Sequence, residues 1–183
     1  MKIELRQQTL EEGRLTYDRE MHRDFPEDEL KPWEITVQMY EAGIYEMLEA
    51  FVDGTLVGYA WMVCPKGGSA LIDYLAVLPQ FRCGGYGTAI LEALSCRYSL
   101  RGMELLLESE FPEEAPDPAM ARRRLGFYQR AGFRDSGVQV RLFGVRFCIL
   151  VHRDAVDAKE QMTHLYRAMF SDPLFREAVQ FLN

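Results

Sequence analysis

Residues 75–91 read LAVLPQFRCGGYGTAIL, with three glycines, Gly84, Gly85 and Gly87, packed into four positions behind Arg82. An apolar run precedes them and another follows. Such a loop presents bare backbone amides at the start of a helix, where the peptide dipoles favour negative charge. Without a Cβ, phosphate oxygens can approach the backbone closely. A pyrophosphate is the natural ligand; a plain tight turn is the other reading of three glycines taken alone. Two phosphate loops are excluded. No Gly-Lys-Ser/Thr follows, so the phosphate-binding lysine and magnesium-binding hydroxyl of a P-loop are missing. Gly85-x-Gly87 leads to Ile90 where a dinucleotide loop wants a third small residue, and the strand before it is not the chain's first.

Other chemistry-bearing residues are sparse. Asp73 interrupts an otherwise apolar strand at 70–78, two residues before Leu75 and on the same face by strand alternation. Glu108 ends a strand at 103–109, with Glu110 on its face. A buried carboxylate is costly without a use or a partner. Both acids are therefore candidate proton acceptors, and a structural or solvated role stays open for each. The cysteines (Cys64, Cys83, Cys96, Cys148) form no CxxC, and the histidines (His22, His152, His164) are scattered. No metal site is expected, and the thiols should be free, mostly buried and in a reducing compartment.

Those residues need elements to position them. A strand at 2–8 precedes a helix opened by the capping box Thr9/Glu12 and running to about residue 23. The segment DFPEDELKPWE is a loop before a second helix at 33–40. Strands at 45–52 and 55–63 flank Asp53-Gly54, a hairpin signal. The glycine loop joins strand 70–78 to a helix at 87–100. Asp117 and Pro118 open a later helix that stops at Gly132. One or two strands fill 138–152, and the tail from Ala155 reads as two short helices. The fold class is a mixed α/β (α+β) single domain.

Composition bounds the partners. The 183 residues are 48% hydrophobic and 27% charged, with a formal net charge of −7. That balance is no signature of a nucleic-acid binder and would repel anionic membranes. The N-terminal residues lack the apolar core of a signal peptide. No run approaches the roughly 18 apolar residues of a membrane span. A cytoplasmic location is the expectation.

The run Arg82-Cys83-Gly84-Gly85-Tyr86-Gly87 resembles the Arg/Gln-x-x-Gly-x-Gly/Ala loop of the GNAT superfamily of N-acetyltransferases. Leu75-Ala76-Val77-Leu78-Pro79 looks like that family's fourth strand and its exit. Phe127-Tyr128-Gln129-Arg130-Ala131-Gly132-Phe133 is similar to its Tyr-x-x-x-Gly-Phe helix end. The resemblance covers residues 1–152, with 153–183 a helical extension packed on the same domain. It implies a mostly antiparallel sheet splayed between its fourth and fifth strands, with acetyl-CoA in the cleft.

By that resemblance, backbone groups of Leu75, Ala76 and Val77 pair with the pantetheine arm, and an amide near Val77 polarises the thioester carbonyl. Amides of Arg82, Cys83, Gly84, Gly85, Tyr86, Gly87 and Thr88 hold the pyrophosphate, and the Arg82 guanidinium adds contacts to phosphate. Cys83 is a loop residue, not a nucleophile, because the family transfers the acetyl group directly. Tyr128 is the general acid for the departing thiolate; Asp73 or Glu108 is the base for the amine, through a water. Arg122, Arg123 and Arg124 form a solvated face or touch the CoA phosphates. The first helices wall the acceptor pocket. There Phe25, Trp33 and Tyr40 with Asp24, Glu27, Asp28 and Glu29 form either a rim for a cationic amine or a solvated loop over core aromatics. The acceptor is a small-molecule or peptide amine, and a homodimer through the C-terminal helices is possible. The alternative function is an inactive acyl-CoA-binding sensor.

Overall fold

The computed structural model describes residues 1–152 and 157–182, apart from the side chain of Asp28. The expected domain boundary at 152/153 and the start of the tail at Ala155 fall at or beyond the edge of the described residues.

Strand β1 (Glu4–Gln7) leads into α1 (Leu10–Thr16) through the expected capping box. The Thr9 side chain accepts from the Glu12 amide at 3.3 Å, and the Glu12 carboxylate accepts from the Thr9 amide at 2.7 Å. The helix continues as a π turn (Tyr17–Met21) and a short α2 (His22–Asp24). After the proline-flanked loop comes α3 (Trp33–Glu41). Strands β2 (Tyr45–Val52) and β3 (Thr55–Val63) form the hairpin, with Asp53 and Gly54 both at positive φ, as this tight turn demands.

Next come β4 (Ser69–Val77), α4 (Tyr86–Ser99) and β5 (Glu104–Glu110). Helix α5 (Pro118–Arg130) starts where the Asp117 carboxylate accepts from the Met120 amide at 2.9 Å. Strands β6 (Arg134–Leu142) and β7 (Val145–Val151) follow, β6 beginning earlier than its pattern suggests. The tail holds α6 (Ala158–Met169), α7 (Asp172–Ala178) and β8 (Val179–Phe181). It is therefore not wholly helical, because β8 pairs with β6.

Among the described residues the eight strands lie in the order β1-β2-β3-β4-β5-β7-β6-β8, and only β4 and β5 run parallel. Their pairing is brief: Ser69–Ile72 against residues 104–107. Beyond it β4 stays on β3 as far as Val77, and β5 stays on β7 as far as Glu110. The two strands part into a fork. A β-bulge sits at its base, for Trp61 pairs Tyr74 while Met62 pairs Ile72, leaving Asp73 as the extra residue. Bulges bend a strand and re-aim side chains.

Each face of the sheet buries its own apolar cluster. One face carries Trp61, Tyr74 and Leu106 under α1–α3 and under Met162, Leu165 and Tyr166 of α6. The other carries Ile72, Leu75, Val77 and Leu107 under α4 and α5. The bulge corrects one expectation. Asp73 does not share a face with Leu75, because its partners Tyr45 and Lys31 lie on the side of the first cluster. No helix among the described residues is long and apolar enough to cross a membrane.

Candidate functional site: a forked sheet edge between an amide cradle and a carboxylate

A 3-10 turn (Pro79–Phe81) follows β4, and α4 begins behind Gly85, whose φ of 79° is the left-handed region that glycine enters freely. The Arg82 amide closes the turn on the Pro79 carbonyl at 3.3 Å, and the Ala89 amide starts the helix ladder on the Gly85 carbonyl at 3.2 Å. Between them the amides of Cys83, Gly84, Gly85, Tyr86, Gly87 and Thr88 donate to no described group. Consecutive open amides at the start of a 14-residue helix have the geometry and dipole to receive an anion.

The glycines have separate local reasons. A Cβ on Gly85 would meet nothing within 4 Å, so backbone conformation alone sets that position. A Cβ on Gly87 would stand 3.0 Å from the Phe127 ring and 3.5 Å from Val77, so this glycine lets α4 close on α5 and β4. Cys83 is exposed in the loop and Cys96 is exposed on α4, while Cys64 and Cys148 are buried. The thiols are thus not mostly buried.

Arg82 is already engaged. Its Nε donates to the Val77 carbonyl at 3.0 Å and its terminal nitrogen to Asp24 at 2.7 Å. The Asp24 side chain is 2% exposed and also binds Arg23 at 2.9 Å and the Tyr59 hydroxyl at 3.0 Å. Asp24 therefore ties the first helix to the loop rather than lining a rim. The aromatics of that region pack inward, with Phe25 edge-on to Tyr74 at 5.1 Å and Trp33 against Trp61 at 6.4 Å.

Tyr128 lies on the α4/α5 face of the sheet, between the Phe127 and Phe133 rings at 5.2 and 6.1 Å. Burial pushes its phenol above the ordinary value, and the charge of Arg124 opposes that. Its hydroxyl bonds no described residue. Arg124 itself binds Glu110 at 3.0 Å, and Arg122 pairs with Glu113 on the surface.

The two candidate acids begin the two arms of the fork, each one residue past the last parallel pair. Asp73 is 5% exposed and fully engaged: Oδ1 accepts from Lys31 Nζ at 2.6 Å and Oδ2 from the Tyr45 hydroxyl at 2.5 Å. Burial works against the Lys31 charge, but Asp73 outweighs it and holds the ammonium above its ordinary value. The backbone beside Lys31 is stitched down too. Its amide donates to the Tyr74 hydroxyl at 2.9 Å, and its carbonyl accepts from the Tyr17 hydroxyl at 2.9 Å.

Glu108 is half-buried, and its Oε1 accepts from the Tyr166 hydroxyl of α6. Among the described residues nothing bonds Oε2. Burial raises this carboxyl to about 7; Tyr166 and Lys31 pull it down, and Asp73 adds to the rise. A carboxylate half-ionised near neutrality can take a proton and release it.

The structure thus brings Asp73 and Glu108 together on one face and sets Tyr128 on the other, with the fork between. Lys31, Tyr45 and Tyr166 complete the acid cluster and are absent from the sequence reading. Only Tyr166 carries a signal, a hydroxyl in the apolar stripe Met162, Leu165, Tyr166, Met169, where a buried phenol needs a partner. The arrangement can seat an extended anionic molecule, accept a proton on one face and return one on the other.

The family model described as an acetyltransferase (GNAT) domain matches residues 44–135, half of the chain. No curated protein sequence matches closely enough to count as a relative. Solved structures do match. One assigned to the GNAT acetyltransferases, from Bacteroides thetaiotaomicron, is 22% identical over 90% of this chain and 94% of its own, with a TM-score of 0.69. The ribosomal-protein-S18-alanine N-acetyltransferase from Escherichia coli is 18% identical over 85% of this chain and 97% of its own, at 0.60. A GNAT-family acetyltransferase from Elizabethkingia anophelis, solved with acetyl-CoA bound, is 15% identical over 82% of this chain and 95% of its own, at 0.53.

Proposed function

Because the chain belongs to the GNAT family of acetyltransferases, we propose that it moves the acetyl group of acetyl-CoA directly to the primary amine of a small molecule or peptide. The observation that carries this reading is the run of six open amides, Cys83 to Thr88, beside a fork with a proton acceptor on one face and a phenol on the other. The amides fit the pyrophosphate. Past Ile72 no strand pairs with the β5-side edge of β4, and over Leu75, Ala76 and Val77 that edge fits the pantetheine arm, which pairs there like an added strand.

Acetyl-CoA supplies the activated thioester, and the chain's residues manage protons around it. Glu108 is a better base than Asp73, because both Asp73 oxygens are occupied while Glu108 keeps Oε2 available. An ammonium has no lone pair, so Glu108, directly or through a water, removes a proton from the amine. The nitrogen then bonds the acetyl carbon and gives up its second proton to water, and the carbon–sulfur bond breaks. Tyr128 gives its proton to the departing sulfur, and exchange with solvent resets both groups. Arg82 supports the loop from within through Asp24 and Val77.

A thiol-release assay with acetyl-CoA and a panel of primary amines tests the proposal. At least one amine should give free CoA and an equal amount of acetylated product. CoA binding with no amine turned over across polyamines, amino acids and peptides would instead favour an acyl-CoA-binding sensor.

A further inference from the structure

The family match ends at residue 135, yet the candidate base is held by a residue beyond it. Helix α6 is built to hold that residue still. The Asp157 carboxylate caps it by accepting from the Glu160 amide at 3.0 Å. Its buried stripe of Ala158, Met162, Leu165 and Tyr166 packs on the face of the sheet that carries Glu108. The Tyr166 ring stacks on Phe170 at 6.0 Å and meets Phe181 of β8 at 6.3 Å. Both strand and helix of the tail therefore fix where the Tyr166 hydroxyl points.

We infer that Tyr166 is a positioning residue of the transfer site, its hydroxyl fixing one carboxylate oxygen of Glu108 so that the other faces the fork. This rests on the reading of Glu108 as the base. The C-terminal segment is then part of the active site rather than an appendage.

The titratable and charged groups facing Glu108 are Tyr166 from α6, Lys31 from the segment before α3, and Asp73 from β4; its neighbour on β7, Ile149, is apolar. Tyr166 and Lys31 favour the ionised form, whereas burial and Asp73 disfavour it. Removing the hydroxyl removes a hydrogen bond to the charged form, which raises the carboxyl midpoint by about one unit. At pH 7 the ionised fraction, and with it turnover, then falls roughly fivefold. The loss disappears one to two units higher.

Tyr166→Phe keeps the ring and its stacking. Two readouts are taken on the full chain: the Glu108 carboxyl titration by carbon-13 NMR, assigned with Glu108→Gln, and the pH profile of thiol release with an amine that the wild type acetylates. The expected result is an upward shift of about one unit in the titration midpoint, with the acid limb of kcat/KM moving by the same amount. An unmoved midpoint, whatever happens to the melting temperature, overturns the positioning role and reduces Tyr166 to packing. A midpoint that moves while the rate profile does not, or a Glu108→Gln variant with full turnover, removes Glu108 from the chemistry and with it this inference. The wild-type turnover that defines the proposed activity stands apart from both outcomes.

Discussion

The two sides of the fork are made of different material. On the α4/α5 side the candidate-site groups are backbone amides from six consecutive residues, held by one turn. On the α6 side they are side chains gathered from five separated segments: Lys31, Tyr45, Asp73, Glu108 and Tyr166. A backbone cradle tolerates changes in side chain and depends on conformation. A side-chain cluster depends on every partner being present, because each buried charge relies on another segment. In the proposed mechanism, donor recognition belongs to the robust half and proton removal to the fragile one.

Three substitutions set the halves against each other. The largest effect is expected from Lys31→Met, which leaves the 5%-exposed Asp73 carboxylate without its cation. Breaking such a pair costs about 3 kcal/mol, read as lost stability in urea unfolding at pH 7. A loss below about 0.5 kcal/mol would show that the acid cluster is not held by that pair. Next is Tyr128→Phe, on the other face. Turnover should fall about a hundredfold while CoA affinity stays within twofold, since in the proposed mechanism only the departing sulfur uses the hydroxyl. Equal turnover would strip Tyr128 of its role as acid. The smallest is Gly85→Val. A branched side chain at φ 79° should weaken CoA about tenfold by calorimetry while the fold, open at that point, persists. Wild-type affinity would remove the loop from the pyrophosphate site.

The same contrast explains what could be read in the residues. The glycine loop, the Asp117-Pro118 helix start and the Asp53-Gly54 hairpin are local, each deciding its geometry within a few positions. The place of Tyr128 on α5 could be read because its apolar stripe lies within that one helix. The acid cluster is different. Lys31 stands 42 residues from Asp73, and Tyr166 stands 58 from Glu108, so no spacing rule links them. Asp73 misleads for a further reason. Strand alternation puts it beside Leu75, but the bulge inserts one residue, and nothing in Leu71-Ile72-Asp73-Tyr74 announces it. Arg82 looks phosphate-facing beside its glycines, and only the folded chain brings up Asp24, 58 residues away. Strand β8 follows α7 without a break and is formed by pairing with β6.

The most direct test of a donor held on one half and a proton acceptor on the other is a structure of the chain with CoA bound. The prediction is a pyrophosphate on the amides of Cys83–Thr88, a pantetheine arm along Leu75–Val77, and a sulfur within hydrogen-bond reach of the Tyr128 hydroxyl, with Glu108 across the fork. A pyrophosphate seated elsewhere, or a sulfur out of reach of Tyr128, would contradict it.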